Sequence, residues 1–162
     1  KGWFKTGDIG FLDEDNFLTI TDRKKSLIVT SGGKNIAPSP LEGALLNSTY
    51  IDQVIVIGDK RNFISALIVP NFEMIINFLT SKKISLSEPH AIIEHEEVIN
   101  IFNDEVIRLM EKFSNYEKVK KFTLLAEPLS IDKGEMTPKM SIVRKVVEKN
   151  YSTIINNMYE EL

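Results

Sequence analysis

The chain has 162 residues, 43% apolar and 27% charged, which is the composition of one folded domain and too apolar for a disordered segment. It has no cysteine, which excludes disulfides, thiolate metal sites and cysteine nucleophiles. A net charge of −3 offers nucleic acid no basic field, and no apolar run is long enough to span a bilayer.

The chain opens Lys1-Gly2-Trp3-Phe4 without an initiator Met, and we expect it to be part of a longer one. Residues 9–12 and 17–21 are apolar runs around Asp13-Glu14-Asp15-Asn16, which predicts a β-hairpin. After Asp22-Arg23-Lys24-Lys25 comes a second strand, turn and strand, with Ser31-Gly32-Gly33-Lys34-Asn35 as the turn. Pro38-Ser39-Pro40-Leu41-Glu42 predicts a helix start. Ser39 is the expected N-cap, Pro40 takes the first helical position, and Glu42 closes a capping box. Leu41, Ala44 and Leu45 form its expected buried stripe.

Residues 53–57 and 63–70 are rich in β-branched side chains and flank a polar turn, so they are expected to pair antiparallel. Helices are expected over 72–79, over 92–113 and over 141–151 with continuation to 158. The second has Val98, Phe102, Val106, Leu109 and Phe113 inward, and the third has Ile142, Val146 and Tyr151 inward. Residues 122–126 read as a strand. The fold class is α+β, a small mixed β-sheet with flanking helices, preceded by a short hairpin.

Four groups of residues carry possible chemistry. In Thr6-Gly7-Asp8 a glycine admits a ligand close to the backbone, and the following carboxylate suits paired ribose hydroxyls; a structural turn is much the commoner use of such a pair. Arg23 has the forked donor set of a phosphate or ribose ligand, within what is otherwise an ordinary charged turn. Ser31-Gly32-Gly33-Lys34 is not a phosphate loop, because extended Asn35-Ile36-Ala37-Pro38 follows where such a loop opens into a helix. A tight hairpin turn explains it. Lys133, Lys139, Arg144 and Lys145 concentrate cations that suit a developing oxyanion or a solvated helix start. His90 and His95 miss the spacing that puts two histidines on one helix face, and we assign no metal site.

In order along the chain, Gly2-Trp3-Phe4-Lys5-Thr6-Gly7-Asp8, Asp22-Arg23-Lys24-Lys25, Ser31-Gly32-Gly33-Lys34-Asn35-Ile36-Ala37-Pro38 and Glu135-Met136-Thr137-Pro138-Lys139-Met140 resemble the adenylate-forming acyl-CoA synthetases. The glycine segment looks most like the long-chain fatty-acid CoA ligases. The resemblance implies that residues 1–22 end a large N-terminal domain and that 23–162 are a mobile C-terminal lid. The hinge then falls near 22–26, with Lys25 as the pivot.

The implied reaction uses ATP, Mg2+ and coenzyme A. A fatty acid becomes an acyl-adenylate with release of pyrophosphate, and the acyl group then passes to coenzyme A with release of AMP. Asp8 is the implied holder of the ribose hydroxyls, Thr6 beside it is an implied cofactor-binding residue, and Arg23 is the implied contact to ribose or phosphate. Gly32, Gly33 and Lys34 would approach the pantetheine channel. The family's adenylation lysine falls on Ser141 when the flanking Thr137-Pro138 and Arg144-Lys145 are matched without a gap, and we expect Lys139 to serve in its place. The implied partners are the chain's own N-terminal domain and the three substrates, and the implied location is cytoplasmic, extending to the inner membrane face because the substrate is lipidic. Two alternatives stand beside this reading: an adenylating enzyme that loads a carrier protein, and a non-catalytic interaction module with the lid fold.

Overall fold

A computed structural model describes residues 2–23 and 26–160 of the chain. The first element is the expected hairpin, β1 (Asp8–Leu12) against β2 (Leu18–Arg23), closed by the Asp13 carboxylate accepting the N–H groups of Asp15 and Phe17. A second antiparallel pair follows, β3 (Ile28–Val29) with β4 (Asn35–Ile36). Helix α1 (Pro38–Leu45) leads into β5 (Ile51–Ile57) and β6 (Ile64–Pro70), which pair antiparallel as their patterning predicts. After α2 (Phe72–Ser81), α3 (Pro89–Glu94) and α4 (Glu96–Met110), strand β7 (Val119–Leu124) joins β6 in parallel, giving a mixed sheet in the order β5-β6-β7. Helices α5 (Arg144–Asn150) and α6 (Ser152–Glu160) finish the described chain.

The two-residue period of the strands sorts their side chains into two cores. Val54, Val56, Ala66 and Ile68 face one side, with Leu41 and Leu45 of α1, Ile75 and Leu79 of α2, and Phe102 and Val106 of α4. Ile55, Ile57, Leu67 and Val69 face the other, against Val147 of α5, Ile155 and Met158 of α6, and Leu125, Leu129 and Met136 of the loop between. Both faces of the sheet are therefore covered, which is why β6 is buried at every position rather than at alternate ones.

Three expectations fail locally. Ala37, not Ser39, is the N-cap of α1; Pro38 opens the helix and no side chain caps it. Pro38 is compatible with that position because its absent N–H would have no partner there. Glu42 is drawn elsewhere, as described below. The helix expected over 92–113 is two helices. His95 leaves helical geometry at ψ 132, and its Nδ1 accepts the Glu97 N–H as the N-cap of α4. The break lets Ile92 and the Val98, Phe102, Val106, Met110 stripe enter one core, with Leu109 and Phe113 only half-buried. The last helix starts at Arg144, not at 141, because residues 141–143 belong to a hairpin arm. Val147 rather than Val146 is therefore the buried residue, and Tyr151 interrupts the helix.

Candidate functional site: three exposed hairpin edges

Thr6, Gly7 and Asp8 enter β1. Gly7 has φ +78°, a conformation that favours glycine, and the Thr6 Oγ1 accepts the Asp8 N–H at 3.1 Å. Across the strand pair the Cα partner of Asp8 is Arg23, so two residues nominated far apart in sequence occupy one register position. Lys25, the expected pivot, lies outside the described residues, as does Lys24.

The glycine segment is a tight hairpin and not a phosphate loop. Thr30 donates its N–H to the Lys34 carbonyl at 3.0 Å and accepts the Gly33 N–H at 2.9 Å, while its Oγ1 accepts the Lys34 N–H at 3.1 Å. Gly33 needs its glycine at φ +75°, and a Cβ there would meet nothing within 4 Å. The tip is a bare backbone edge. The Lys34 ammonium lies 5.3 Å from the centre of the Tyr116 ring.

Lys139 stands at the tip of a third hairpin. The Met140 N–H returns to the Thr137 carbonyl at 2.8 Å, and the Thr137 N–H reaches the Ser141 carbonyl at 2.8 Å, with Met140 at φ +60°. This is a three-residue loop: a turn over Pro138 and Lys139, then a left-handed residue. Ser141 begins the descending arm, its N–H on the Thr137 Oγ1 at 3.2 Å, and Ile142 bridges Met136 below. The turn thus places Lys139 at its exposed tip, whereas Ser141 is held in the arm.

Two carboxylates that sequence reading did not assign to this site hold the hairpin. Glu135 is buried at 1% exposure, and its two oxygens take the Ser130 N–H at 3.1 Å and the Asn150 amide at 3.0 Å. Beside it, burial and then the Glu135 charge push the Tyr151 phenol above its usual range. At the other end Arg144 pairs with Glu42 of α1 at 2.6 Å and donates to the Val56 carbonyl, while Glu42 accepts the Val56 N–H at 2.8 Å. The pair occupies both backbone groups of Val56 on the open edge of β5. Glu42 had read as a capping residue, and only the neighbouring strand reveals its other use.

Between Ser26, Pro38, Glu42, Met140, Arg144 and Lys145 lies an open cleft of about 720 Å³. None of Asp8, Gly32, Gly33, Lys34, Lys139 and Ser141 lines it, and each of these is exposed. A second hollow of about 630 Å³, between β7 and α6, contains none of them either. Among the described residues no three histidine or carboxylate side chains converge to hold a metal ion, and no helix is long and apolar enough to cross a membrane. The arrangement offers three separate hairpin edges, the two later ones hydrogen-bonded at their bases and all exposed at the candidate residues.

The long-chain-fatty-acid–CoA ligase FadD15 of Mycobacterium tuberculosis is 40% identical to this chain over 168 residues, covering 99% of the chain and 27% of that protein. Fatty acyl-CoA synthetase A of Dictyostelium discoideum is 32% identical, covering 99% of this chain and 25% of that protein. The chain thus spans about a quarter of the length of these relatives. Among solved structures, the adenylation domain of a Mycobacterium chelonae carboxylate reductase superposes with a TM-score of 0.77 at 20% identity, over 98% of this chain and 23% of that one. O-succinylbenzoate coenzyme A synthetase from Bacillus subtilis, in complex with AMP, matches with a TM-score of 0.56 at 26% identity, over 89% of this chain and 24% of that one. The family model for the AMP-binding enzyme C-terminal domain matches residues 25–162, and the chain belongs to that family.

Proposed function

We propose that this chain is the C-terminal part of an AMP-forming long-chain fatty-acid CoA ligase, with 1–22 closing the N-terminal domain and 23–162 forming its lid. The observation that carries the reading is 40% identity to such a ligase across 99% of the chain. Exposed edges support it, since a lid presents its groups to a site completed by another domain. So does the hairpin of β1 and β2, which leaves Phe11, Leu12, Phe17 and Leu18 uncovered as though against a further body.

In the first half-reaction a fatty carboxylate oxygen bonds to the α-phosphorus of ATP and the α–β phosphoanhydride breaks, releasing pyrophosphate. Asp8 accepts hydrogen bonds from the ribose hydroxyls, with Thr6 holding the turn that aims it, and Arg23 donates to ribose or phosphate. Lys139 brings a fixed positive charge to the developing negative charge on phosphate. Mg2+ would neutralise the nucleotide's phosphates, and no residue group described here is assigned to hold it. Rotation about Lys25 then exchanges the lysine hairpin for the glycine hairpin, whose bare edge at Gly32 and Gly33, with Lys34, flanks the pantetheine arm of coenzyme A. The location that follows is cytoplasmic, reaching the inner membrane face where fatty acid partitions.

The test is palmitate-dependent ATP–pyrophosphate exchange by the full-length parent, followed by acyl transfer to coenzyme A or to a carrier protein. Exchange, then thioester formation on coenzyme A, is expected, with Lys139→Ala reducing exchange by about a hundredfold or more. A folded parent with no exchange overturns the ligase reading and leaves the interaction module. Undiminished exchange in Lys139→Ala removes that residue from the mechanism.

A further inference from the structure

The glycine tip has no side chain with which to hold its own position, so its placement comes from what its base is docked to. Ile28 and Ile36 anchor that base in the core, and its hydrogen bonds outside the hairpin go to one short segment, the turn between β5 and β6. Lys60 donates its N–H to the Val29 carbonyl at 2.8 Å, Ser31 donates to the Arg61 carbonyl at 2.8 Å, and the Val29 N–H reaches the Asp59 carboxylate at 3.2 Å. Gly58 permits the approach: a Cβ there would stand 3.2 Å from Ile28 Cγ2 and 2.4 Å from Ile64 Cδ1.

The turn is itself gripped from the far end of the chain. The Arg61 guanidinium donates to the Asn156 side-chain Oδ1 on α6 and lies 4.8 Å from the centre of the Tyr159 ring. The Tyr159 hydroxyl is 2.8 Å from Ser65 Oγ and within 3.3 Å of the Ile57 carbonyl and 3.2 Å of the Phe63 carbonyl, so it spans both strands where they enter the turn. Its ring packs on Phe63 at 4.5 Å. The hairpin of β5 and β6 does not need this grip to form, because its ladder runs from Ile51 to Ile57 with every β6 residue buried. What the grip adds is the placement of the turn, and through it the placement of the glycine edge.

We propose that Arg61 and Tyr159 are positioning residues for the thioester-forming half-reaction, setting the 31–34 hairpin from α6 without touching either substrate. The inference rests on the ligase reading above. In that half-reaction the coenzyme A sulfur bonds to the acyl carbon, the carbon–oxygen bond to AMP breaks with its electron pair leaving on AMP, and the thiol proton passes to water. A misplaced edge slows this attack and leaves the earlier attack on ATP unaffected, because the first step uses the lysine hairpin.

The experiment compares the full-length parent with Arg61→Ala, Arg61→Lys and Tyr159→Phe. Three quantities are read: palmitate-dependent exchange, single-turnover acyl transfer from the bound adenylate to coenzyme A, and amide hydrogen exchange over 28–36. Arg61→Ala and Tyr159→Phe are expected to slow transfer roughly tenfold while pyrophosphate exchange stays within about twofold, with faster amide exchange over 28–36. Arg61→Lys keeps the cation and restores most of the transfer. Tyr159→Phe retains the ring and its packing, so it decides the matter if Arg61→Ala fails to fold. Equal losses in both half-reactions, or unchanged transfer, overturn the positioning role alone. No exchange in the unsubstituted parent overturns the ligase reading and this inference with it.

Discussion

Glu148 of α5 has cations around it, yet burial outweighs them. Loss of hydration raises its carboxyl above the ordinary glutamate value of 4.5; Asp59 adds to the rise, and Arg144, Arg61 and Lys145 oppose it. A carboxyl whose pKa is higher in the folded chain than in the unfolded one stabilises the fold while protonated, and that contribution disappears as pH rises through the folded value. Glu148→Gln is expected to remove this dependence, so its melting temperature should gain on the parent's as pH rises from 4.5 through the folded value and then hold a constant difference. Thermal melts at matched ionic strength check it, and parallel profiles would refute it. Elsewhere at this scale the sequence identified residue types better than their partners. Glu42 was legible as a helix-start carboxylate, but its partners Arg144 and Val56 lie in other elements.

The edge of β5 shows the same point for a whole element. An edge strand leaves backbone groups open to pairing with other chains. Here Arg144 and Glu42 occupy the N–H and carbonyl of Val56, so two side chains from two helices take the place of a neighbouring strand. Arg144→Ala should destabilise the chain by about 1–3 kcal/mol, because it leaves a half-buried carboxylate and a carbonyl short of a donor. A double-mutant cycle with Glu42→Ala, read by urea denaturation, should show coupling, and additive losses would exclude the clamp. The strands were legible because β-branched runs alternate with turns. The break at His95 was not, since neither Gly nor Pro marks it and the apolar spacing runs on past it in both directions.

At the scale of the molecule, neither core includes a side chain of the hairpin of β1 and β2 among the described residues. Trp3, Phe4, Phe11 and Phe17 are all more than half exposed. Removing residues 1–22 is therefore expected to leave the melting temperature within about 2 °C, less than a loss of 1 kcal/mol would produce, and to reduce self-association. Calorimetry and light scattering on the shortened chain test both, and a large drop in melting temperature would show that the hairpin belongs to the lid. The sequence alone determined the α+β class, the strand and helix order, and the segments that bear chemistry, because apolar periodicity, turn residues and local motifs are written within a few neighbouring positions. Only the tertiary structure decided that Asp8 stands opposite Arg23, that Lys139 and not Ser141 takes the hairpin tip, and that α6 reaches the glycine hairpin through Arg61. Each of these depends on strand register, a left-handed residue or a contact between distant segments, and single-chain patterning encodes none of the three.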